Sequence, residues 1–86
     1  MANEPLCNVV IFNDDVTPMD FVVQVLQDVF GLDFDDACKL MLRVHHEGQA
    51  ICGTSEREAA AIKLNAILAL ASEHNHPFKC SLEEAH

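Results

Sequence analysis

The apolar residues of this chain recur with two different periods, and the switches between them mark its elements. Val9-Val10-Ile11-Phe12 is apolar and largely β-branched, which predicts a strand over about Pro5 to Phe12, with Pro5 at its first residue or at a sheet edge. From Pro18 to Phe30 the side chains of Phe21, Val22, Val25, Leu26, Val29 and Phe30 fall on one broad helical face, and Gly31 supplies the stop. Thr17 is placed to cap this helix. Pro18 suits its first position, where a missing N–H costs nothing, and Asp20 follows Thr17 at nearly the spacing of a capping box. A second helix is predicted from about Asp33, with Asp36 three residues on, to Gly48. Ala37, Leu40, Met41, Val44 and His45 share one side of it, and the acids at its start complement the helix dipole.

Gln49 to Cys52 is short and apolar between Gly48 and Gly53, so it reads as a second strand. Ser55-Glu56-Arg57-Glu58 fits the S-x-x-E capping box and opens a long alanine- and leucine-rich helix that runs to about Glu73. Pro77 ends that segment, and Phe78 to Leu82 alternates as a half-buried strand does. The order is β-α-α-β-α-β. It predicts an α/β (α+β) two-layer sandwich, a three-stranded antiparallel sheet with three helices on one face and the other face partly wet. Residues 1–4 read as a short N-terminal extension to one domain over 5–86, and no repeat or linker divides it.

Composition narrows the partners. Half of the 86 residues are hydrophobic, which argues against disorder. A formal charge of -9, from 14 acidic against 5 basic residues, removes the attraction to phosphate on which nucleic-acid and anionic-membrane binders depend. A cationic partner is favoured, with solubility as the competing explanation. Cys7, Cys38, Cys52 and Cys80 are far apart with no C-x-x-C pair, so they read as small core hydrophobes in a reducing compartment. No run approaches the roughly 20 apolar residues of a membrane helix, and the expectation is a soluble cytoplasmic protein.

The candidate chemistry gathers at the junction Asn13-Asp14-Asp15-Val16-Thr17-Pro18-Met19. With Thr17 used as a cap, Asn13, Asp14 and Asp15 are left without a local partner and are expected at an exposed mouth. Asp14 and Asp15 could form an acid–base pair, but neighbours in a turn point apart and no activated serine or oxyanion-hole glycine motif lies near. The chain is not read as an enzyme. His74, His76 and Cys80 come nearest to a zinc set, yet histidines at a helix end equally suit its dipole, so neither metal nor cofactor is expected. His45 is either a satisfied boundary histidine or a polar group facing a cleft. Met19, Met41 and Val44 are either core or the wall of an adaptable thioether-lined pocket, and spacing does not choose between these.

The motifs themselves resemble those of a known family. Val10 through Phe21, then Leu40-Met41-Leu42-Arg43-Val44-His45-His46-Glu47-Gly48, Ala50-Ile51-Cys52-Gly53 and His76-Pro77-Phe78-Lys79-Cys80-Ser81-Leu82-Glu83 stand in the order of the ClpS family, the bacterial and chloroplast adaptors of Clp AAA+ proteases. The resemblance covers about Leu6 to Glu83. It implies a non-catalytic, monomeric bacterial adaptor that binds proteins whose first residue is Leu, Phe, Tyr or Trp and delivers them to the N-terminal domain of a ClpA-like unfoldase. Asn13, Asp14 and His45 would bind the α-ammonium group, Asp14 and His45 partly through water. Asp15, Thr17, Met19, Met41 and Val44 would line the side-chain pocket, with Phe78 at its rim and Met19 as the gate against β-branched residues. Glu58 and Lys63 would contact the protease. Phe78 stands where many members carry Leu, and Val16 and His46 stand where aromatic residues are common. Apart from the resemblance, a protein–protein module of the same fold that does not read N-termini remains open.

Overall fold

A computed structural model describes residues 5–85. β1 (Leu6–Phe12) is the central strand, with β2 (Gln49–Glu56) and β3 (Lys79–Glu84) antiparallel on its two sides. α1 (Met19–Phe30), α2 (Phe34–Glu47) and α3 (Arg57–Glu73) complete the β-α-α-β-α-β order. The sandwich and its antiparallel sheet are as the periodicity predicts.

Side chains alternate across a strand, so β1 divides its residues between two environments. Cys7, Val9 and Ile11 point into the helical layer and are buried there with Val25 and Leu26 of α1, Ala37 and Val44 of α2, and Ala60, Ile67 and Ala71 of α3. Burying each of the large aliphatic side chains contributes about 1.5–3 kcal/mol. The other face is wetter. There Asn8 lies between Thr54 and Glu83, accepting a hydrogen bond from the Thr54 hydroxyl at 2.6 Å, and Ile51 is exposed.

Two helix ends and one helix start follow the sequence signals. Gly31 and Gly48 end α1 and α2 with φ of 69° and 92°, left-handed values that cost glycine least. Asp33 caps α2 by accepting from the Asp36 N–H at 2.8 Å.

Two other expected caps are corrected. Thr17 does not cap α1: Pro18 occupies the N-cap, its carbonyl accepting from the N–H groups of Phe21 and Val22, while the Thr17 hydroxyl turns to Asp14. Ser55 and Glu58 form no capping box, because β2 runs on past Cys52 to Glu56. A bulge between Val9 and Val10 lets the pairing continue, so Ser55 faces Cys7 in the sheet and its backbone is held by the ladder. β3 likewise begins at Lys79 and extends to Glu84, later at both ends than expected. The N-terminal extension at 1–4 lies outside the described residues.

Candidate functional site

β1 ends at Phe12 beside the last turn of α2, and the chain must cross from one to the start of α1. Asn13 makes that crossing by donating its backbone N–H to the Gly48 carbonyl at 2.9 Å, which ties the β1–α1 loop to the α2–β2 turn. Asp14 then organises the loop. Its Oδ1 accepts from the N–H groups of Val16 and Thr17 at 2.9 and 2.6 Å, and its Oδ2 accepts from the Thr17 hydroxyl at 2.8 Å. The expectation that Asp14 has no local partner is therefore wrong: an aspartate can satisfy backbone N–H groups two and three residues on, and here it does.

Burial pushes the Asp14 carboxyl up, but the Thr17 and Val16 hydrogen bonds and the nearby Lys79 charge outweigh it. The net effect holds the group below its ordinary 3.8. It is a preformed anion.

This loop closes one end of a cavity of about 320 Å³. The loop contributes Asn13, Asp14, Asp15 and Thr17, the first turn of α1 contributes Met19, and the far half of α2 contributes Met41, Val44 and His45. Phe78, just before β3, completes the set. All nine residues singled out for the site meet on this one cavity. Asn13, Asp15 and His45 are exposed at its opening, whereas Val44 is buried at its base. Phe78 is placed differently from expectation. It is 5% exposed and stacks edge-on against Phe21, with ring centroids 6.0 Å apart, so it forms part of the buried wall and not a rim.

Three lining residues were missed in the sequence: Phe12, Pro18 and Val22. Phe12 and Val22 carry ordinary core periodicity, and Pro18 was assigned to the helix start, so no chemical signal set them apart. The available hint is proximity: Phe12 adjoins Asn13, Pro18 lies between Thr17 and Met19, and Val22 follows Met19 by three residues, on the same side of α1.

Glu58 and Lys63 lie on α3, away from the cavity. Glu58 is exposed, and the Lys63 ammonium stands 5.5 Å from the centroid of the Phe30 ring. His74 and His76 pack against Phe21, at 5.4 and 4.7 Å between ring centroids. Among the described residues no group of three or more His, Cys, Asp and Glu side chains converges as a metal set would. All four cysteines are free; burial pushes the Cys52 thiol up to about 12 and the Cys80 thiol to about 11, which leaves both as weak nucleophiles. No helix among the described residues is long and apolar enough to cross a membrane.

A small sandwich whose cavity has an apolar, methionine-containing wall and an anion at its opening defines a binding module for a ligand with an apolar body and a cationic or donor-rich end. Known proteins specify the class further. The family model for the ATP-dependent Clp protease adaptor protein ClpS matches residues 2–81. The ATP-dependent Clp protease adapter protein ClpS of Aromatoleum aromaticum is 48% identical over 80 residues, covering 93% of this chain and 78% of that one. Its namesake from Vibrio atlanticus is 47% identical over 77 residues, with 90% and 73% covered. Among solved structures, Agrobacterium tumefaciens ClpS2 bound to L-phenylalaninamide superposes with a TM-score of 0.93 at 31% identity, over 96% of this chain and 100% of that one. The chain belongs to the ClpS family of Clp protease adaptors.

Proposed function

We infer that this chain is an N-degron adaptor, which binds proteins with Leu, Phe, Tyr or Trp at the first position and delivers them to a Clp AAA+ protease. One observation supports the residue assignment: polar and apolar members of the set line the same cavity, with Asn13, Asp15 and His45 exposed and Val44 and Phe78 buried. A free N-terminus carries those two features on one carbon atom.

An α-ammonium group has three donors and one positive charge, so it needs convergent acceptors. Asn13, Asp14 and His45 take that role. Asp14 supplies a negative charge and His45 an imidazole nitrogen. A charge-assisted hydrogen bond of this kind contributes about 1.5–3 kcal/mol. The first side chain enters between Met19 and Met41, with Asp15, Thr17, Val44 and Phe78 around it, and its burial contributes about 1.5–3 kcal/mol more. After the cost of association, the expected dissociation constant is on the order of micromolar. L-Phenylalaninamide, the ligand of the Agrobacterium protein, has a free α-amino group and an aromatic side chain, the features this cavity would read.

The partner in delivery is the N-terminal domain of a ClpA-like unfoldase, contacted through Glu58 and Lys63 on α3. The adaptor acts as a monomer in the bacterial cytoplasm, a setting in which four free thiols persist. It carries out no chemical step: the one carboxylate held in place at the site is already engaged by three donors from its own loop.

Fluorescence-anisotropy titration with peptides beginning Phe, Leu, Val and acetyl-Phe tests this reading. Phe and Leu peptides should bind, while Val and acetyl-Phe should bind at least about tenfold more weakly, the factor that 1.4 kcal/mol represents. Equal binding of Phe and acetyl-Phe peptides would refute it.

A further inference from the structure

Behind the two methionines lies a second cavity, of about 340 Å³, in the groove between α1 and α2. Met19 and Met41 line both cavities, and no other residue does. They are therefore a partition with open space on each side. Three other apolar residues of the first cavity are different: Val22, Val44 and Phe78 are buried against the packed core and cannot retreat without displacing it. An unbranched thioether can retreat by changing rotamer; Met19 is 46% exposed, and Met41 is half-buried at the edge of the core.

We propose that the α1–α2 groove is the space into which Met19 and Met41 yield, so that the groove's own lining, Val23, Gln24, Phe34 and Cys38, sets the largest first side chain the pocket admits. These four residues touch no part of the first cavity. They act through the methionines, as residues that determine specificity from behind the wall. A leucine leaves the partition at rest. An indole moves it into the groove. The proposal rests on the reading of the first cavity as an N-terminal side-chain pocket.

Filling the groove from its far side tests it. Gln24→Phe does so from an exposed position on α1, and Cys38→Phe does so from α2. Each folded variant is titrated with peptides beginning Trp, Phe and Leu, and the wild type also with acetyl-Phe. In either variant, affinity for the Trp peptide should fall about tenfold relative to the Leu peptide, the discrimination that one methylene can produce in an apolar pocket. A Trp-to-Leu ratio unchanged or raised in both would overturn the proposal while wild-type discrimination of Phe from acetyl-Phe left the pocket reading intact. Loss of that wild-type discrimination would instead strike the pocket reading, and this proposal with it. Gln24→Phe alters no buried residue, so its result stands even if Cys38→Phe fails to fold.

Discussion

Thr17 donates to Asp14 twice, from its N–H to Oδ1 at 2.6 Å and from its hydroxyl to Oδ2 at 2.8 Å. The pair holds the carboxylate at the opening of the cavity before any ligand arrives, so binding need not order it. A carboxylate offers about four acceptor sites, and the loop takes three of them, which leaves capacity for one donor from outside.

Charge and loop support at Asp14 can be separated by Asp14→Asn, which keeps an oxygen to accept from the Val16 and Thr17 N–H groups and removes the negative charge. Peptide affinity should fall by about tenfold or more, as loss of a charge-assisted hydrogen bond implies. Thermal stability should change little. Asp14→Ala removes the acceptor as well and should cost about 1–3 kcal/mol through the backbone donors left without it. Wild-type affinity in Asp14→Asn, measured by anisotropy, would show that the anion is not what holds the ligand.

The Asp14 carboxyl also gives stability a pH signature. Because Asp14 is held below 3.8 in the fold, its contribution to stability is fully present above about pH 4 and is lost as pH falls through its lowered folded value. Asp14→Asn should therefore flatten the acid end of the stability profile, measured by urea unfolding at a series of pH values. An acid limb as steep in Asp14→Asn as in the wild type would show that other carboxylates account for it.

The parts of the fold legible in the sequence are those whose cause is local. Gly31 and Gly48 end helices because their own backbones take positive φ, and Asp33 caps because Asp36 is three residues away. The misread caps depend on partners that the local pattern does not contain. Thr17 is drawn off by Asp14, and Ser55 by a ladder that pairs it with Cys7, 48 positions earlier in the chain. The site divides in the same way. Asn13, Asp14 and His45 stood out because polar groups beside apolar runs need a reason, whereas Phe12 and Val22 look like any core residue until the chain folds around them. Phe78 was assigned to the site but to the wrong depth, because its burial comes from Phe21 and the helices.

Glycine substitutions distinguish backbone strain from crowding. A Cβ on Gly48 would meet nothing within 4 Å, so Gly48→Ala is penalised through its φ of 92° alone, by about 1–2 kcal/mol. The Gly48 carbonyl holds Asn13, so peptide affinity should fall too. At Gly53 the backbone is unremarkable but a Cβ would lie 3.1 and 3.2 Å from atoms of the Phe30 ring. Gly53→Ala should cost about 1–3 kcal/mol by overpacking and leave peptide affinity unchanged, since Gly53 does not line the cavity. Urea unfolding with parallel peptide titration checks both, and a Gly48→Ala protein as stable as wild type would remove the strain argument.

Met19→Ala tests the gate itself. On the proposed reading, leucine branches at Cγ and presents a narrow Cβ methylene beside Met19, whereas valine and isoleucine present two substituents on Cβ. Shortening Met19 to alanine removes the bulk beside that Cβ at a position already 46% exposed, so the fold should lose little. Val- and Ile-initiated peptides should then bind within about tenfold of the Leu peptide, because the polar residues stay in place, valine is one methylene smaller than leucine and isoleucine is its isomer. Affinity for Phe and Leu peptides should fall modestly as the wall on that side recedes. If Met19→Ala still rejects Val and Ile while binding Leu, the exclusion arises deeper in the pocket, at buried Val44 or Phe78, and Met19 serves only as part of the wall.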